Sequence, residues 1–84
     1  MDEQERKNRI RVRIKKRMID LQSAGKKTNK GESVSEAAIG RACNPPVSRV
    51  AVHLTIKGAC ESSRIREQIE SELGETYWLR RKAA

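Results

Sequence analysis

Phenylalanine is absent from this 84-residue chain, and one tyrosine and one tryptophan are its only aromatic residues. That excludes the rows of aromatic platforms on which proteins stack splayed single-stranded bases. Metal-binding residues are almost as scarce: Cys43, His53 and Cys60 have nine and six residues between them, a spacing that fits no common zinc pattern and lacks a fourth ligand. No metal or other cofactor is therefore expected. With one histidine, no Cys-His or Ser-His-Asp arrangement, no glycine-rich phosphate loop and little room for a deep pocket, no catalytic residue, enzymatic activity or small-molecule ligand is expected either. Apolar runs are a few residues long, far below the roughly 20 that span a bilayer, and the charged start lacks the apolar stretch of a secretory signal. These features predict a cytoplasmic protein with reduced cysteines and no membrane association. Acidic residues are also in short supply, eleven against nineteen lysines and arginines, for a formal net charge of +8. Such an excess favours a polyanionic partner, nucleic acid first.

Turning to what is present, residues 2–24 contain neither glycine nor proline, and Ile10, Ile14, Met18 and Leu21 recur at helical spacing. A first helix is predicted there, with Val12 and Ile19 off its main stripe. Arg6, Lys7, Arg9, Arg11, Arg13, Lys15, Lys16 and Arg17 crowd its other faces, where like charges three and four apart repel unless an anion lies nearby. The plainer reading is a solvated face that only keeps the chain dissolved. Residues 25–32, GKKTNKGE, follow the stop signal of Gly25, hold no apolar side chain and read as a mobile linker.

Ser33 and Glu36 then match a capping box, opening a helix that packs through Val34, Ala37, Ala38, Ile39, Ala42 and Cys43 and turns left-handed at Asn44. Pro45 and Pro46 break it sharply. Val47, Val50 and Leu54 supply the inward stripe of a helix over 46–57, which leaves Ser48, Arg49, Val52 and His53 outward and Gly58 as terminator. Ser62 or Ser63 caps a last helix with Ile65, Ile69 and Leu73 inside, Gly74 at its end, and Arg64, Arg66, Glu67, Gln68, Glu70 and Glu72 on the wet side. In the tail, Tyr77, Trp78 and Leu79 either finish the core or form a patch for a second subunit. The organisation is one domain: a basic helix over 1–24, a linker over 25–32, a core over 33–74 and a tail over 75–84.

Residues 33–74 resemble the lambda-repressor-like helix-turn-helix fold, and within it the Ner-like and related small phage regulators. The resemblance rests on Gly40 in the middle of the first motif helix, Cys43 before the turn, Asn44 in place of a turn glycine and Val50 at the centre of the second helix. The stretch KGACESSRIREQIESELG and Trp78 extend it. Glu36 departs from it, standing where many relatives carry a glutamine that contacts a phosphate; the double proline and the lysine-rich linker depart too. The resemblance implies an all-α domain of four to five helices, sequence-specific binding to double-stranded DNA as a homodimer on an inverted repeat, and repression of transcription, autoregulation included.

Under that implication the helix over 46–57 enters the major groove. Arg49 can make two hydrogen bonds to guanine O6 and N7, Ser48 and His53 can bond base edges, and Val47 or Val52 can touch a thymine methyl. Arg13, Arg17, Lys26, Lys27, Lys30 and Lys57 are the expected phosphate contacts, and Tyr77, Trp78 and Leu79 the expected dimer interface. Two other readings stay open: an RNA-binding protein using the arginine-rich segment over 6–17, and an antitoxin-like or inhibitor-like module whose basic faces meet an acidic protein.

Overall fold

Asp2 accepts the Glu5 amide at 2.8 Å and so opens α1 (Glu3–Ser23), in a computed structural model that describes residues 2–78. The expected stripe is the buried one: Ile14, Met18 and Leu21 face the core and Ile10 is half-buried ahead of them, while Val12 and Ile19 face solvent.

Residues 25–32 are not the free linker their composition suggests. The Thr28 amide donates to the Glu32 carbonyl at 2.7 Å, the Gly31 amide to the Thr28 carbonyl at 2.9 Å, and Lys27 pairs with Ser33 in an isolated antiparallel bridge. Thr28 is buried, its hydroxyl accepting from the amides of Lys30 and Glu32, and the Asn29 amide reaches Glu72 Oε2 at 3.2 Å. Short polar side chains can tie a turn together by bonding its backbone, a signal that hydropathy does not register.

α2 (Glu36–Ala42) is capped by Ser35 rather than Ser33, with Ser35 Oγ accepting the Ala38 amide at 3.1 Å. Ser33 belongs to the preceding turn, where it accepts from Lys27 Nζ, and Val34 between them is buried with its carbonyl bonded by Gln22 Nε2. The helix ends at Ala42. Cys43 is extended, and among the described residues none other than glycine has positive φ, so Asn44 does not make the expected left-handed turn. The residue before a proline is pushed away from helical backbone, and the Asn44–Pro45 peptide is cis.

α3 (Arg49–Lys57) starts later than the expected 46. The Val47 amide bonds the Gly40 carbonyl at 2.9 Å, and the extended Ser48 takes the N-cap with its hydroxyl on the Ala51 amide at 3.1 Å. The buried side of α3 is Val52, Thr55 and Ile56, and the expected inward residues Val50 and Leu54 are exposed. Thr55 is tolerated inside because its hydroxyl donates to the Ala51 carbonyl at 2.8 Å.

α4 (Ser63–Leu73) is capped by Ser62, buries Ile65, Ile69 and Leu73, and ends at a left-handed Gly74. Glu70, expected on its wet side, is buried instead, where its Oε2 accepts the amides of Tyr77 and Trp78 at 2.8 and 3.1 Å. That carboxylate folds the following segment back, and the two aromatic rings meet edge to face with centroids 5.9 Å apart. The result is an all-α bundle with extents of 35 × 26 × 25 Å around a core of Ile14, Ile39, Val52, Ile56, Ile69 and Leu73, with no strand among the described residues. No described helix is long and apolar enough to cross a membrane.

Candidate nucleic-acid interface

At Gly40 the backbone of α2 meets the backbone of the segment that leads into α3. A Cβ there would lie 2.5 Å from the Val47 carbonyl oxygen and 3.4 Å from Val52 Cγ2, so only glycine permits the approach. The turn between the helices is held from a third side by Arg64, whose Nη1 donates to the Pro45 carbonyl at 2.7 Å. α3 is thereby seated on the core through Val52 and Ile56, and its opposite face is free.

That free face carries Arg49, Val50, Leu54 and Lys57, all exposed, with His53 half-buried beside them. Two of the polar groups converge on one carboxylate. Glu36, the first residue of α2, places Oε1 3.7 Å from Arg49 Nη1 and Oε2 3.1 Å from His53 Nδ1. A carboxylate in the first turn also complements the positive end of the α2 dipole, which contributes about 0.3–1 kcal/mol at an exposed site. The arrangement is a cation-bearing helix face with apolar side chains interleaved, suited to hydrogen-bonding and methyl contacts at once.

The expected site residues separate by environment. Ser48, Arg49, His53 and Lys57 reach the outer side of α3, Ser48 as its N-cap; Lys26, Lys27 and Lys30 are exposed on the ordered turn, which Glu32 ties to Arg41 of α2 at 2.8 Å. Val52 is fully buried and cannot touch a base, and Val47 packs partly against the core; Val50 and Leu54 stand outside instead. Arg13 and Arg17 are exposed or half-buried but engaged internally, Arg13 donating to the Thr76 carbonyl at 3.3 Å with its guanidinium 4.9 Å from the Tyr77 ring centre, and Arg17 donating to the Leu73 carbonyl at 3.0 Å. Arg17 holds the end of α4, where a cation complements the helix terminus, and Arg13 holds the segment after it, each through one of its five N–H donors. Tyr77 and Trp78 are spent in the protomer's own core and offer no open patch to a second subunit; Leu79 lies outside the described residues.

Other cations come into view only in three dimensions. Lys7 lays its stem over Gly58, the left-handed C-cap of α3: a Cβ on Gly58 would fall 2.7 Å from Lys7 Cδ. The N-terminal half of α1 thus flanks the end of α3. A groove of about 590 Å³ opens there, with Arg6, Arg9 and Arg66 on its walls and Ile10, Ile56 and Trp78 among its apolar lining. Arg66 lies 5.2 Å from the Trp78 ring centre, and its buried Nε has no hydrogen-bond partner among the described residues. Periodicity identifies the arginines of α1 but not which end of the helix meets α3.

Both cysteines are free thiols, Cys43 buried and Cys60 half-buried. Burial pushes the Cys43 thiol above its ordinary range, with nearby Arg64 opposing the shift. Among the described residues no cluster of histidine, cysteine, aspartate and glutamate is placed to hold a metal ion. The chain matches no family model, no curated protein and no solved structure.

Proposed function

We propose that this protein is a lambda-repressor-like helix-turn-helix regulator that binds double-stranded DNA in a sequence-specific way, with α3 as the recognition helix in the major groove. The observation that carries the reading is the outer face of α3. Arg49, Val50, His53, Leu54 and Lys57 form a cationic and apolar surface on a helix braced from behind by α2 through Gly40. Arg49 is assigned to guanine O6 and N7, His53 and Ser48 to neighbouring base edges or phosphate, and Val50 and Leu54 to thymine methyl groups. Lys57, the linker lysines Lys26, Lys27 and Lys30, and Arg6 and Arg9 at the α1 end of the site are assigned to the DNA backbone. Because one short helix reads few base pairs, the protein acts as a homodimer on an inverted repeat and represses by covering a promoter, its own among the candidates.

Selection from random duplexes followed by footprinting tests this directly. The expected result is a symmetric site with half-sites about one helical turn apart, and a binding constant that falls steeply with salt, by about 0.9 in log slope for each phosphate neutralised. Arg49→Ala is expected to cost about 1–3 kcal/mol of discrimination at one guanine while leaving the fold intact. Failure to enrich any duplex, or tighter binding to structured RNA at equal salt, would remove the proposal.

A further inference from the structure

The outer face of α3 is cationic, yet the carboxylate nearest to it is neither remote nor fully solvated. Glu36 is four-fifths buried as a side chain, at 19% exposure, and its two oxygens are divided between Arg49 and His53. A carboxylate so close to a surface meant for a polyanion should weaken binding to every DNA, because it opposes the phosphates and offsets the charge of the arginine beside it. Its presence calls for a compensating role.

We infer that Glu36 is the specificity-determining positioning residue of this surface: it holds Arg49 and His53 toward the bases, keeps Arg49 from serving as a phosphate anchor, and so exchanges affinity for discrimination. The inference rests on the DNA-binding reading above. A free arginine on a helix surface has several rotatable bonds and pairs with any phosphate within reach, whereas a carboxylate 3.7 Å from Nη1 biases the side chain toward one position by charge. Arg49 approaches Glu36 through Nη1 at 3.7 Å, so the edge formed by Nε and Nη2 is the one not turned to the carboxylate. Two N–H groups in one plane are what guanine O6 and N7 require, so each half-site is assigned a guanine opposite Arg49. His53 uses Nδ1 on Glu36, which leaves Nε2 as its outward atom. The same carboxylate repels a phosphate that would otherwise slide into this position, so sequences in the wrong register are disfavoured by charge as well as by lost contacts.

The test begins with the duplex that the wild-type protein selects. Wild type, Glu36→Gln, Glu36→Ala, Arg49→Ala and the Glu36→Ala/Arg49→Ala double variant are titrated, across a salt series, with that duplex, with the same duplex carrying adenine in place of the contacted guanine, and with random duplex. Removing the carboxylate is expected to tighten binding to random duplex, to steepen the log-log salt slope by about 0.9 as one more positive charge becomes available, and to reduce discrimination at the guanine by about tenfold. Glu36→Gln keeps an acceptor for His53 without the charge, so it should show the steeper slope with discrimination only partly lost. In the Arg49→Ala background, Glu36→Ala should cause no further loss of discrimination. Weaker binding of Glu36→Ala to all three duplexes alike, or unchanged discrimination, overturns the inference while leaving the DNA-binding reading in place. Absence of any selected duplex for the wild type overturns both, and circular dichroism of each variant separates these outcomes from unfolding.

Discussion

A nine-residue helix can bury only one stripe, and in α3 that stripe runs through Val52, Thr55 and Ile56. Val50 stands two positions away from Val52, more than half a turn round the helix at 3.6 residues per turn. The two valines are chemically identical and differ completely in environment, Val52 being 0% exposed and Val50 55%. Val52→Ala should therefore lower stability by about 2 kcal/mol through lost burial and the cavity left behind. Val50→Ala should change stability by no more than about 0.5 kcal/mol and instead weaken binding to the selected duplex. Urea denaturation and duplex titration of both variants check the pair, and equal stability losses would show that the assigned faces of α3 are wrong. Glu70 makes the same point for a charged residue. Spacing alone puts it with Glu67 and Glu72 on the solvent side, but the amides of Tyr77 and Trp78 give its carboxylate the partners it needs to be buried.

The helices share one local device and differ in what joins them. Asp2, Ser35, Ser48 and Ser62 each cap a helix by accepting the amide three residues on. Each such cap contributes about 1 kcal/mol, and both residue types, Asp and Ser, are strong cap formers recognisable in the sequence. Two of them, Ser35 and Ser48, have competitors close by. Ser33 offers a fuller capping box on paper, and Pro46 offers a favourable first-turn proline. The choice between them falls to contacts made elsewhere, Lys27 with Ser33 and Val47 with Gly40. The Gly40 crossing sets how α3 is presented. Gly40→Ala is expected to cost about 1–3 kcal/mol, because the added methyl meets backbone and not a side chain that could swing aside. Thermal denaturation reads the loss, and a binding defect larger than the stability change would mark the displacement of α3.

Across the whole molecule, the bundle is tied together by polar residues as well as by its core. Arg13 and Arg17 hold the end of α4, Arg64 holds the α2–α3 turn, and Asn29 with Glu72 fastens the lysine-bearing turn to α4. Part of the basic excess behind the net charge of +8 thus also makes contacts within the protein. The alkaline limit of stability belongs to this scale as well. Burial raises the Cys43 thiol above its ordinary 9.0, and burial with a hydrogen bond to Glu75 raises the Tyr77 phenol above its ordinary 10.0. The folded protein thus keeps protons that the unfolded chain releases, so the contribution is fully present below about pH 9 and is lost as pH rises further. Lysine deprotonation acts on every variant alike, so the contrast with Cys43→Ala isolates the thiol. The stability gap between wild type and Cys43→Ala should narrow as pH is raised past 9, and urea midpoints from pH 7 to 10.5 would show a constant gap if Cys43 did not remain protonated on folding.

The all-helical class of structure is written in local features of the chain. Uninterrupted helical spacing from Ile10 to Leu21, glycine at 25, 58 and 74, and Ser62 ahead of Ile65, Ile69 and Leu73 specify α1, α4 and the ends of three helices without reference to anything distant. The chemistry of Arg49, His53 and Lys57 was legible for the same reason, since residue type and neighbourhood suffice to nominate them. What only the tertiary structure decided is orientation: which side of α3 is buried, which arginines of α1 are engaged, whether residues 25–32 fold, and where Glu36, Tyr77 and Trp78 point. The physical reason is that α3 and the segment after Leu73 are too short to choose a face by their own hydropathy. Their orientation is set by contacts between residues distant in the chain, the Gly40–Val47 approach for one and the Glu70 carboxylate for the other.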